Sequence, residues 1–98
     1  MTRAPEPLAF AAYPDPHAPQ CQFIVELDDG QILTVPYGWY PTLKAAGRER
    51  ETMEICGAGT GVHFPCVDED LSVRGLLADA LRKALDVGIE QLDRGDIQ

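Results

Sequence analysis

The residue types that could do chemistry crowd into one stretch, His63-Phe-Pro-Cys66-Val-Asp68-Glu69-Asp70. A cysteine, a histidine and an acid are the parts of a nucleophile, a base and an orienting group. Three carboxylates beside a histidine are also the hard oxygen ligands that magnesium or calcium takes. Each reading meets a geometric objection. Residues three apart on an extended strand point to opposite faces, so His63 and Cys66 cannot meet unless Pro65 bends the chain. A structural histidine beside a buried thiol is the expectation. The alternating Asp and Gly of a calcium loop are missing, and acids ahead of a helix already have a use. They satisfy free N–H groups and oppose the positive end of the helix dipole, for about 0.3–1 kcal/mol each. Asp68, Glu69 and Asp70 are therefore expected to cap a helix. The residues assign no catalytic group, no cofactor and no metal.

Three other clusters invite function and have plainer explanations. Gly57-Ala-Gly-Thr-Gly61 has the look of a phosphate cradle, but such cradles open a helix, and the P-loop adds Lys-Ser/Thr. A strand follows here, so the glycines are expected to make a hairpin turn. Tyr37-Gly-Trp39-Tyr40 is the one aromatic concentration. Trp and Tyr are favoured at binding hot spots, and with Gly38 and Pro41 alongside they also suit the plugged end of a core. Lys44, Arg48 and Arg50 alternate with Glu49 and Glu51, the mixture of a solvated face.

The elements that hold these residues follow from pattern. Residues 1–20 contain five prolines and read as an irregular arm, whose apolar patch Leu8–Tyr13 could form an edge strand or lie across the core. From Cys21, two β-branched runs flank Asp28-Asp29-Gly30, a strong hairpin signal. Alternation puts Phe23, Val25 and Leu27 on one face, and Glu26 and Asp28 on the other. Pro41 suits the first turn of a short helix running to Met53, weakened by Gly47. Met53–Gly57 and Val62–Val67 read as two further strands. Ser72 is a good N-cap for a helix over about residues 72–94, in which Val73, Leu76, Leu77, Ala80, Leu81, Ala84, Gly88 and Leu92 recur at helical steps. At about 30 Å it overhangs a small sheet, so Ile89 and Leu92 are placed to reach another chain. The fold class is α+β, a small antiparallel sheet in ββαββα order packed against helices. Residues 21–98 form its single domain.

Composition narrows the partners. Ninety-eight residues make one small domain. Sixteen acidic against eight basic residues give a net charge of −8 spread along the chain, which repels phosphate backbones and disfavours direct nucleic-acid binding. Three cysteines with no Cys-x-x-Cys pair suggest reduced thiols, and no apolar run has signal-peptide or membrane-span length. These features predict a cytoplasmic protein without a membrane segment.

Residues 21–77 resemble the small bacterial family called domain of unknown function 2442. The resemblance rests on Leu27, Asp29 and Gly30, on Pro41-Thr-Leu43 with Ala46 and Arg50, and above all on Gly61-Val-His63-Phe-Pro65 leading to Asp68-Glu69-Asp70-Leu-Ser72. Phe64 stands where members typically carry Trp. The arm and the long terminal helix depart from the usual pattern. The resemblance implies a small α+β unit with an antiparallel sheet, often encoded beside another small protein in a toxin–antitoxin-like arrangement. Some members carry a helix-turn-helix; here the C-terminal stretch reads as one helix.

The expectation is a non-enzymatic, antitoxin-like interaction module that binds a protein partner, with the product of a neighbouring gene as the candidate. Its contact candidates are Trp39, Tyr40, Glu69, Asp70, Ile89 and Leu92. It would act as a monomer or as a homodimer through the C-terminal helix. One alternative is a phage or mobile-element inhibitor that mimics nucleic acid, as against a CRISPR effector. Another is a small metal- or thiol-dependent enzyme using Asp70 or Cys66.

Overall fold

Asp28-Asp29-Gly30 turns the chain between β2 (Gln22–Leu27) and β3 (Ile32–Pro36), which pair antiparallel with Phe23 opposite Val35 and Val25 opposite Leu33. The structure is a computed structural model that describes residues 6–84. The alternation works as the sequence suggests. Phe23, Val25 and Leu27 are buried, while Gln22, Ile24 and Glu26 face outward.

The apolar patch of the arm takes the edge-strand option. β1 (Ala9–Pro14) pairs antiparallel with the other side of β2, so the first sheet runs β1-β2-β3. A bulge between Ala9 and Ala11 leaves Phe10 as the extra residue, 63% exposed. The arm is thus irregular only outside this strand. Asp15 secures the return to β2: its carboxylate accepts from Gln22 Nε2 at 2.6 Å and from the His17 N–H at 2.9 Å. Those bonds, the Gln22 one foremost, hold its carboxyl below the usual range.

After a 3₁₀ turn at Tyr37–Trp39 comes α1 (Pro41–Ala45), with Pro41 at its first position as expected. The helix does not continue to Met53. Gly47 has φ +72°, the left-handed region in which helices end, and a 3₁₀ turn, Gly47–Glu51, follows. Arg50, expected on a solvated face, instead reaches back to donate to the Leu43 and Lys44 carbonyls at 3.1 and 3.0 Å. Carbonyls at a helix end lack partners within the helix, and the guanidinium supplies them. It also donates to the Gln20 carbonyl and lies 4.7 Å over the Tyr37 ring.

The second half makes a separate sheet of β4 (Glu54–Cys56), β5 (Gly61–Phe64) and β6 (Glu69–Ser72), in the order β4-β5-β6. The Gly57–Gly61 segment is a hairpin turn, as read. Asp68, Glu69 and Asp70 are not helix caps. Asp68 sits in a turn at φ +52°, while Glu69 and Asp70 pair in β6 with Phe64 and His63. The turn over 65–68 folds the chain back on β5. Leu71 then points into the core, and ladder bonds satisfy the backbone that an earlier helix start would have used. The helix, α2, covers residues 73–84. Ser72 does cap it, accepting from the Gly75 N–H at 2.9 Å. The α+β class therefore stands, with two three-stranded antiparallel sheets in place of one and the order βββαβββα in place of ββαββα.

Both sheets turn their inner faces to one core. Phe23 lies 5.2 Å from Tyr37 and 5.2 Å edge-on from Phe64, ring centre to ring centre. Leu43 of α1 and Val73 and Leu76 of α2 complete it. Along α2 the contact fades: Leu77 is half-buried and Leu81 is 63% exposed. Ile89 and Leu92, and the end of the predicted helix, lie outside the described residues.

Candidate functional site

Trp39 and Tyr40, the first predicted contacts, are half-buried against the core. α2 lies over them. The Tyr40 hydroxyl donates to Asp79 Oδ2 at 2.7 Å, and Lys83 Nζ stands 6.0 Å above the Trp39 ring. Burial, followed by that bond to Asp79, pushes the Tyr40 hydroxyl far up from its ordinary pKa. Tyr37 is fully buried, its hydroxyl has no hydrogen-bond partner among the described residues, and burial raises its pKa to about 12. The aromatic cluster thus divides: Tyr37 packs the core, and the other two hold the helix.

The second sheet brings together the titratable residues of the His63 stretch, but not as the sequence suggested. Strand register aligns Glu54, His63 and Asp70 in one row across β4, β5 and β6. His63 Nδ1 meets Asp70 Oδ1 at 2.5 Å, with the imidazole 24% and the carboxylate 71% exposed. The Asp70 hydrogen bond raises the histidine pKa above its usual value against desolvation, and Asp68 and Glu54 add to it. Glu69, opposite Phe64, is half-buried.

Cys66 is exposed in the turn after β5, not buried beside His63 as expected. Cys56 lies in the next row, opposite Gly61. Burial foremost, then Asp70 and Glu54, raises its thiol pKa and reduces the thiolate that nucleophilic attack would need. Among the described residues no three His, Cys, Asp or Glu side chains are placed to hold a metal ion.

The outer face of the first sheet has the opposite character. The ladders place Tyr13, Ile24 and Thr34 in one row, and Ala11, Glu26 and Ile32 in the next. Ile32 is 63% exposed, as is Phe10 at the bulge of β1 on the far side of β2. The one charge in these rows, Glu26, accepts from the Tyr13 hydroxyl at 2.7 Å. Sequence reasoning did not single out Phe10, Ile24 or Ile32. The available signal was Ile24 and Ile32 occupying the positions of their strands that alternation turns outward.

A small groove between residues 6–8 and α2, lined by Leu8, Thr60, Val73, Arg74 and Leu77, holds about 150 Å³. That is below the roughly 300–1,000 Å³ of ligand pockets. No helix among the described residues is long and apolar enough to cross a membrane.

Comparison with known proteins agrees with this architecture. The chain is similar to a protein of unknown function from Rhodospirillum rubrum, known from a crystal structure. The two are 33% identical, with a TM-score of 0.67, over 76% of this chain and 89% of that one. No curated protein matches the chain. The sequence profile of the family described as protein of unknown function DUF2442 matches residues 16–81, which span β2 to α2 and include the Gly61-to-Ser72 segment that builds β5 and β6. On that match, the chain belongs to the DUF2442 family.

Proposed function

We propose that this chain is a non-enzymatic, antitoxin-like module that holds a partner protein against the outer face of its first sheet. One observation carries the reading: Phe10 and Ile32, each 63% exposed, stand with Ile24 on a face whose one charge, Glu26, is already engaged by Tyr13. In a chain of net charge −8, a mostly apolar face is where a partner gains most from excluding water. The net negative charge of the chain draws a basic partner toward it. The rival reading, carboxylates offered to a nucleic-acid channel, draws on Glu54, Asp68 and Asp70. His63 in their midst already engages Asp70.

The test compares wild type with Phe10→Ser as baits for the adjacent gene product. Wild type retains it, and Phe10→Ser loses it while keeping its stability within about 0.5 kcal/mol, as surface changes do. Equal retention by both proteins, or by neither, counts against the reading.

A further inference from the structure

We infer that the free edge of β3 pairs with the same edge of a second copy of this chain, joining the two first sheets into one six-stranded sheet. The inference concerns an edge, not the face assigned above to a foreign partner, and it stands independently of that reading.

The hydrogen-bond ladder defines the edge. The Leu27 N–H donates to the Gln31 carbonyl and the Tyr37 N–H to the Cys21 carbonyl, at the two ends of the β2–β3 pairing. Antiparallel pairs alternate between bonded and non-bonded, so Leu33 and Val35 spend their backbone groups on β2. Ile32 and Thr34 turn theirs away from it. Both residues are exposed, and β3 has β2 as its one paired neighbour among the described residues. Pro36 also faces outward but has no N–H, so it ends the run of donors.

The other sheet edges carry the protections that natural edges use. β1 has its bulge and prolines at its end and beyond, β4 is three residues long, and β6 presents Glu69 and Asp70. β3 has none of these before Pro36.

Two facts select a second copy as the occupant. Ile32 and Thr34 are two apart, so an antiparallel copy related by a two-fold axis at Leu33 sets each Ile32 against the other copy's Thr34. All four N–H groups and all four carbonyls are then used, which is the self-complementarity of a two-fold interface. Charge is the second. Residues 30–43 contain no charged side chain. In this register Asp28 and Asp29 of one copy fall beside the uncharged Tyr37–Trp39 segment of the other. Elsewhere two chains of net charge −8 repel, whereas here no carboxylate faces another. A ladder this short falls below the roughly 1,600 Å² of a typical stable interface, so the dimer dissociates at micromolar concentrations or above.

The experiment is sedimentation of the full chain over a concentration series, with hydrogen exchange at each concentration. The expected result is a monomer–dimer equilibrium in which the Ile32 and Thr34 amides gain protection as the dimer forms. Thr34→Pro removes two of the four donors without touching the β2 ladder and weakens association roughly thirtyfold. Ile32→Lys, which leaves every backbone donor in place, weakens it too and serves if the proline variant does not fold. Phe10→Ser leaves association unchanged, which separates this outcome from failure of the face. A chain monomeric at every concentration overturns the inference, as does a dimer that survives both edge variants. Protection of Ile32 and Thr34 that appears only when another protein is added assigns the edge to a foreign strand and also overturns it.

Discussion

The two sheets have the same strand count and the same antiparallel order, and they share a core, yet their outer faces are opposites. The first shows Phe10, Ile24 and Ile32 around a single engaged carboxylate. The second shows the row Glu54, His63 and Asp70. Inner positions are constrained alike, because Phe23 and Phe64 must fill one space between the sheets. Outer positions answer to whatever lies beyond the molecule. The difference puts exposed apolar side chains on the first sheet and charged ones on the second.

The strongest way to break the comparison is to attack what the sheets share. Phe64→Ala is expected to cost about 3–5 kcal/mol, and because the ring touches residues of both sheets, urea should unfold them in a single transition. Separate transitions followed by near- and far-ultraviolet circular dichroism would mean that the core is not common. Tyr37→Phe tests the same cluster in the other direction. Its buried hydroxyl lacks a partner among the described residues, so deleting it should stabilise the protein by about 1 kcal/mol and raise the urea midpoint. A loss of stability would show that the hydroxyl is satisfied after all.

The smallest effect belongs to the second sheet's outer face. The folded pKa of His63 is raised by Asp70, so the pairing stabilises fully below the unfolded value of about 6.5 and is lost as pH rises through the raised folded value. Asp70→Asn should therefore lower the urea midpoint most at about pH 6 and least at about pH 8.5. A deficit independent of pH would remove His63 from the explanation.

How far the sequence could be read depended on the range of the interactions involved. Local signals carried well: the Asp28-Asp29-Gly30 turn, the buried alternation of Phe23, Val25 and Leu27, the glycine turn at 57–61, Pro41 at a helix start and Ser72 as a cap all reappear. What failed depended on where the chain turns back on itself and, for α2, on partners distant in sequence. Acids ahead of a helix have a ready use as caps, and the pattern does not show that a turn over 65–68 pairs Glu69 and Asp70 with β5 instead. Arg50 amid glutamates resembles a solvated face until α1 ends at Ala45 and leaves carbonyls within its reach. Of the predicted contacts, Trp39 and Tyr40 were visible as aromatic. Their engagement by Asp79 and Lys83 depends on how α2 docks. Strand alternation kept His63 from Cys66, but the partner it acquired, Asp70, needed the β5–β6 register.

One contact bears on where the unit physically starts. Gly59 has φ +98°, and a side chain there would lie 2.9 Å from the Ala9 carbonyl oxygen and 3.0 Å from Leu8 Cβ. The β4–β5 turn is therefore moulded against β1, whose Ala9 is itself a core residue. The family profile begins at residue 16, after that strand. A fragment trimmed to the matched boundary would strip one side of β2, empty the Ala9 position and leave Gly59 facing a vacant slot. The heritable pattern and the cooperative folding unit have different starting points, and a shortened version of this protein should be cut ahead of β1.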